Sequence, residues 1–182
     1  MAKLLFGVVG TSKKEDERRV PIHPEHLLRL SADIRKQLIF EKGYGSPFDL
    51  EDKKLASLTG GVASRDEILE GIGKAIIAKP IHSDLEQLQK GGILWGYPHC
   101  AQQNAITQTA IERKLTLLAF EDMFVWGPNG LRGRHTFYKN NEMAGYCAVI
   151  HALQLKGIDG HYGNQRKVTI FSFGAVSRGA IY

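Results

Sequence analysis

Lys79-Pro80 and Tyr97-Pro98-His99 carry residue types suited to proton transfer at a carbonyl or imine carbon. A lysine ammonium can donate to a carbonyl or carboxylate oxygen. An imidazole, with a reference pKa of about 6.5, exchanges protons near neutrality. The two residues lie 20 positions apart, each just after a short apolar run (73–78 and 93–96), which is one strand–helix–strand step. Parallel neighbouring strands set their carboxyl ends side by side, so a lysine and a histidine there could face one pocket. A third segment, Glu17-Arg18-Arg19-Val20-Pro21-Ile22-His23-Pro24, follows the first apolar run. An arginine in it could grip a carboxylate with two parallel hydrogen bonds. Each feature also has an ordinary reading: a solvated surface lysine, a histidine hydrogen-bonded into structure, a charged loop with both arginines in water.

The elements that would position these residues alternate. Apolar runs at 4–10, 36–41, 73–78, 93–96 and 115–120 predict strands, and 168–171 begins another. Helices are expected at 24–30, with Pro24 at its first position, and at 50–58. Two more are expected at 64–69 and 83–89, opened by Ser64 with Glu67 and by Ser83 with Glu86 as capping boxes. Helices at 102–113 and 140–155 complete the set, with a Gly/Arg-rich loop at 127–135 and a turn at 157–163. Met143, Tyr146, Cys147, Ile150 and Leu153 form one stripe of the long helix and read as core. Strands alternating with helices predict an α/β fold with a parallel sheet. The expected organisation is a Rossmann-like (flavodoxin-like) substrate domain over 1–160, then the incomplete start of a second Rossmann domain over 161–182.

That second domain is read from Ser172-Phe173-Gly174-Ala175-Val176-Ser177-Arg178-Gly179. A strand, a tight turn with glycine and a helix of small residues open a dinucleotide-binding unit, whose helix N-terminus faces a pyrophosphate. Ser172, Gly174, Ser177 and Gly179 are therefore candidate cofactor-binding positions. A strand–turn–helix ending an ordinary α/β domain fits the same residues.

Composition narrows the class. Of 182 residues, 43% are apolar and 24% charged, as in soluble globular domains. The net charge of +5 comes without an aromatic-interleaved basic stripe, and the densest charged run, 12–19, mixes both signs, so no nucleic-acid partner is expected. Cys100 and Cys147 lack metal-ligand spacing and read as reduced thiols. Met1-Ala2-Lys3 leads directly into an apolar run without a signal-peptide pattern, and no run reaches the roughly 20 residues a membrane span needs. A cytoplasmic protein without membrane or metal is expected.

Taken together, the segment 17–24 (E-x-R-V-x-x-x-P), Lys79-Pro80 and His99 resemble the N-terminal domain of alanine dehydrogenases and proton-translocating transhydrogenases. Within that superfamily the chain is most similar to the N5-(carboxyethyl)ornithine synthases and the saccharopine dehydrogenase group. The former share E-R-R-V-P, a turn like Gly96-Tyr97-Pro98-His99, and Tyr138-Lys139-Asn140 with Ala144-Gly145-Tyr146. The latter share His99-Cys100 followed by a polar run with glutamine. Two departures stand out. Alanine dehydrogenases have Lys-Glu-Pro where this chain has Lys79-Pro80, which counts against simple L-alanine as substrate. The phosphate-binding fingerprint begins with Ser172 rather than glycine.

The resemblance implies an NAD- or NADP-dependent oxidoreductase acting on an amino acid or 2-oxo acid, with the cofactor bound by the full-length enzyme only. It implies Arg19 on the substrate carboxylate, Lys79 on the keto oxygen or carboxylate, His99 as general acid–base and Glu121 as an acidic neighbour. It argues against a covalent imine at Lys79. It further implies a homo-oligomer and a C-terminal nucleotide-binding portion or second chain as partner. A non-catalytic binding or assembly module, or one half of a split enzyme, is the competing expectation.

Overall fold

The computed structural model describes residues 4–10, 12–158 and 163–182. The chain divides by packing into two units, Met1–Glu121 and Asp122–Tyr182. The boundary expected at 160/161 and part of the turn expected at 157–163 lie outside the described residues.

The first unit is a doubly wound α/β domain. Its strands are β1 (Phe6–Val9), β2 (Leu38–Glu41), β3 (Gly61–Ala63), β4 (Lys74–Ile77), β5 (Ile93–Gly96) and β6 (Thr116–Ala119), all parallel, in the order β3-β2-β1-β4-β5-β6. Short helices connect them: α1 (Ala32–Arg35), α2 (Asp52–Leu58), α3 (His82–Gln87) and α4 (Asn104–Glu112). β1 and β4 lie at the centre, which is why FGVV and KAII are apolar almost throughout: a central parallel strand is covered on both faces. The main core joins Val9, Ile77 and Leu94 of the sheet to Leu85, Leu88 and Ile106 of one helical layer, with Ile68 and Leu69.

Several expectations hold with shifted ends. The helix expected at 24–30 is a 3-10 helix, Pro24–Arg29, and that expected at 64–69 is a π-helical segment, Glu67–Ile72. The capping box before it forms reciprocally: Ser64 N–H donates to Glu67 Oε2 at 2.7 Å, and Glu67 N–H to Ser64 Oγ at 3.3 Å. The next one does not form as expected. Asp84, not Ser83, closes the start of α3, its Oδ2 accepting the Ile81 N–H at 2.9 Å, because Arg65 draws this carboxylate inward. Arg65 donates to Asp84 Oδ1 at 2.7 Å and to Glu41 Oε1 at 3.4 Å, and Glu41 Oε2 accepts the Gly10 N–H at 2.9 Å. Asp84 is fully buried. This ionic cluster ties together the chain leaving β1, β2 and β4, at the end of the sheet where the candidate residues emerge.

The second unit contains a hairpin, β7 (Phe124–Trp126) with β8 (Arg132–His135), and helices α5 (Tyr138–Leu155) and α6 (Ala175–Ile181). The hairpin replaces the loop expected at 127–135. Arg132 and Arg134 lie over the rings of Phe124 and Tyr138, at 4.1 and 3.9 Å. α6 crosses α5 backbone to backbone: a Cβ at Gly179 would run into the Glu142 carbonyl, and one at Gly145 into that of Val176. Two expectations fail here. Residues 168–171 form no ladder among the described residues, and Phe171 stays 87% exposed, since an extended segment becomes a strand only by pairing. The α5 stripe is not core: Met143, Tyr146 and Ile150 are exposed, because seven-residue α6 covers only part of the longer helix.

Candidate active site

The parallel order puts the ends of β1, β4, β5 and β6 side by side, and Arg19, Lys79, His99 and Glu121 each follow one of them. β4 and β5 pair in register from Lys74↔Ile93 to Ile77↔Gly96. The Tyr97 N–H extends that pairing to the Ala78 carbonyl at 3.1 Å. Gly96 permits it, since a Cβ there would collide with the Ile77 carbonyl. Lys79 and His99 thus leave adjacent strands at matching height. Lys79 Nζ meets His99 Nε2 at 2.5 Å. The Lys79 carbonyl accepts the Ser12 hydroxyl at 2.9 Å, fastening the chain after β1 to the end of β4.

His99 is held by its backbone. It adopts a left-handed conformation, φ 49°, uncommon for a residue with a side chain. Its N–H donates to Glu121 Oε1 at 2.7 Å, and its carbonyl accepts the N–H groups of Gln102 and Gln103 at 2.9 and 3.0 Å. Glu121 Oε1 also lies 3.8 Å from His99 Nδ1. An ammonium can only donate, so while Lys79 is charged Nε2 presents its lone pair and Nδ1 carries the ring proton, toward Glu121.

The electrostatics are cationic. Burial, then the charges of Lys14 and Arg19, lower the Lys79 pKa, against the opposite pull of Glu17 and Glu121. Burial, then Lys79, lower that of His99, with Glu121 opposing and Lys14 and Arg19 adding to the depression. Imidazole is therefore the resting form of His99 at neutral pH. Arg19 is clasped by Glu17 through Nε at 2.8 Å and Nη2 at 2.6 Å. The clasp lowers the Glu17 pKa and raises that of Arg19, and it fixes the guanidinium plane.

Arg19, Lys79, His99 and Glu121 are thus brought into one electrostatic cluster. Sequence reasoning leaves Tyr97, Glu17 and Lys14 without a role there. Tyr97 stands two residues before His99, and Glu17 two before Arg19, spacings that place side chains on one side of an extended chain. Only the fold shows that they meet the cluster.

The other candidates, Ser172, Gly174, Ser177 and Gly179, belong to the second unit. Ser172 Oγ accepts the Gly174 N–H at 3.3 Å, Ser177 Oγ donates to the Phe171 carbonyl at 3.2 Å, and Gly179 is buried on α5. A pyrophosphate cradle needs its turn carried on a sheet strand. Residues 168–173 form no ladder among the described residues, and Phe171 and Phe173 are 87% and 76% exposed. No group of three or more metal-ligating side chains occurs among the described residues. No described helix is long and apolar enough to cross a membrane.

Comparison with known proteins bears on family and fold. The chain is 27% identical over 180 residues to the N(5)-(carboxyethyl)ornithine synthase of Lactococcus lactis subsp. lactis, covering 90% of this chain and 53% of that protein. The synthase of strain IL1403 is 26% identical, with 90% and 54% covered. The chain spans about half the length of these curated relatives. Among solved structures, an L-alanine dehydrogenase superposes with a TM-score of 0.63 at 21% identity, over 82% of this chain and 40% of that one. The transhydrogenase of Sinorhizobium meliloti gives 0.62 at 16% identity, over 82% and 44%. At such identities these two speak for the fold, which is the Rossmann-like α/β sheet described above. The family model "Alanine dehydrogenase/PNT, N-terminal domain" matches residues 8–125, from within β1 to the end of β6 and every residue of the cluster, and the chain belongs to that family.

Proposed function

We propose that this chain is the substrate-side portion of an NAD(P)-dependent oxidoreductase that interconverts an amino acid, or a secondary amine made from one, with its 2-oxo acid or imine. The observation that carries the proposal is the contact of Lys79 Nζ with His99 Nε2 at 2.5 Å, under the positive field of Lys14 and Arg19. A crowded group of cations is relieved by an anion, and a carboxylate beside a carbonyl supplies one. In this reading Arg19, oriented by Glu17, receives the carboxylate. Lys79 donates to the keto oxygen or the carboxylate, and neutral His99 takes or returns the proton at Nε2. Glu121 steadies the imidazole through Nδ1 and the backbone. Alanine dehydrogenase, carboxyethylornithine synthase and saccharopine dehydrogenase chemistry all lie within this scheme. The hydride carrier proposed for the longer protein is NAD or NADP, with Ser172, Gly174, Ser177 and Gly179 among the residues that hold it. The protein is proposed to act in the cytoplasm as a homo-oligomer.

The test titrates pyruvate into the chain and follows the His99 ring signals by NMR. Saturable shifts, weakened at least about tenfold by Arg19→Met or Lys79→Met, are expected from loss of a charged hydrogen bond. Shifts no larger than chloride produces, or shifts indifferent to both substitutions, overturn the proposal. In any preparation that turns over, His99→Ala and Lys79→Met should each lower turnover by at least about a hundredfold.

A further inference from the structure

The lysine–histidine contact needs support from the side. Lysine has four flexible side-chain torsions, and an ammonium next to an imidazole gains nothing from charge once that ring is protonated. The side support is Tyr97. Its ring stacks on the His99 imidazole, with centroids 5.8 Å apart and planes 20° from parallel. Lys79 Nζ lies 5.5 Å from the centroid of the same ring, within cation–π range. The ring also meets Phe120 edge-on at 5.2 Å, and Phe120 in turn meets Trp95 of β5 at 6.0 Å. One aromatic chain therefore runs from the sheet to both members of the pair. Pro98, between Tyr97 and His99, and the left-handed turn at His99 let two side chains two residues apart lie face to face.

We propose that Tyr97 is a positioning residue of this site, whose ring rather than whose hydroxyl holds the His99 imidazole and the Lys79 ammonium against each other. The inference deepens the proposed function but is read on the chain without substrate, so it stands or falls separately. The ring acts through two contacts a phenyl ring also makes, stacking and cation–π, and it keeps water from the imidazole face.

The His99 titration is the suitable readout because both consequences of losing the ring have one sign there. Water reaching the imidazole favours its protonated form, and an ammonium free to swing away repels that form less. At Lys79 the two oppose: hydration raises the ammonium's pKa, while loss of the ring's attraction lowers it. The charged and titratable groups acting on His99 are Lys79, Glu121, Lys14 and Arg19, and none is altered by the substitutions. NMR of the His99 ring across pH in the wild-type chain, Tyr97→Phe and Tyr97→Leu separates ring from hydroxyl. Tyr97→Phe should keep the midpoint within about 0.2 unit, whereas Tyr97→Leu should raise it by about half a unit or more. Tyr97→Leu at the wild-type midpoint, or Tyr97→Phe moving as far as Tyr97→Leu, overturns the proposal. Should Tyr97→Leu not fold, Tyr97→Met is measured with the same expectation, since it fills the space without a ring.

Discussion

Replacing Lys79 with methionine keeps an unbranched side chain of similar length and removes a cation 2.5 Å from His99 Nε2. Two unit charges held at that separation would repel by about 1.7 kcal/mol in the dielectric of bulk water. Salt and movement of the ammonium away from a charged ring reduce it, since the pair is only part-buried. The sign is fixed: the ammonium opposes protonation of the imidazole, so its removal must raise the His99 pKa. Burial, the larger cause of the depression, remains in the variant. The assay is an NMR titration of the His99 ring in wild type and Lys79→Met, with Glu121→Gln as the opposite control, because that carboxylate favours the imidazolium. A rise of the midpoint in Lys79→Met and a fall in Glu121→Gln are expected. A midpoint that stays put or falls in Lys79→Met refutes the charge coupling on which the proposed acid–base role depends.

The same depression makes stability depend on pH. The folded chain protonates His99 less readily than the unfolded chain, so this contribution is full above the unfolded value of about 6.5 and is lost as pH falls through it toward the folded value. Urea unfolding at pH 7.5 and 5.5 should show a loss on acidification that Lys79→Met reduces. Arg65→Met leaves the carboxylates of Asp84 and Glu41 without the guanidinium that bridges them and should cost about 3–5 kcal/mol in urea melts. By contrast Lys13→Ala, which removes a half-exposed cation 4.0 Å from Asp84, should cost less than about 1 kcal/mol. Gly179→Val places side-chain atoms where the Glu142 carbonyl stands. Hydrogen exchange should then show lost protection in α6 and the facing part of α5, and unchanged protection there would contradict the close crossing.

Strands β1, β2, β4, β5 and β6 were legible because strands covered on both faces must be apolar runs between turns. β3 was not, since Gly61-Val62-Ala63 is too short to show a period. The hairpin β7–β8 hid behind its glycines and arginines, although Pro128-Asn129-Gly130 is a turn signal. At 168–171 the opposite holds: Val168, Ile170 and Phe171 have strand character but pair with no strand among the described residues. The long helix was legible by period, while its exposed stripe was not, because period says which residues share a face and not what covers it.

Lys79 and His99 were found by residue type and by their place after strands, which the sequence by itself determines, since local hydrophobic period and proline-bearing strand ends are encoded locally. Only the tertiary structure decided that β4 and β5 are neighbours, that β1 and β6 flank them, and that Tyr97 faces the pair. Strand order arises from long-range packing of apolar faces, which leaves no mark at any one position. It is that order, with the Arg65–Asp84–Glu41 cluster fastening the loops, which brings four separated residues into one electrostatic cluster.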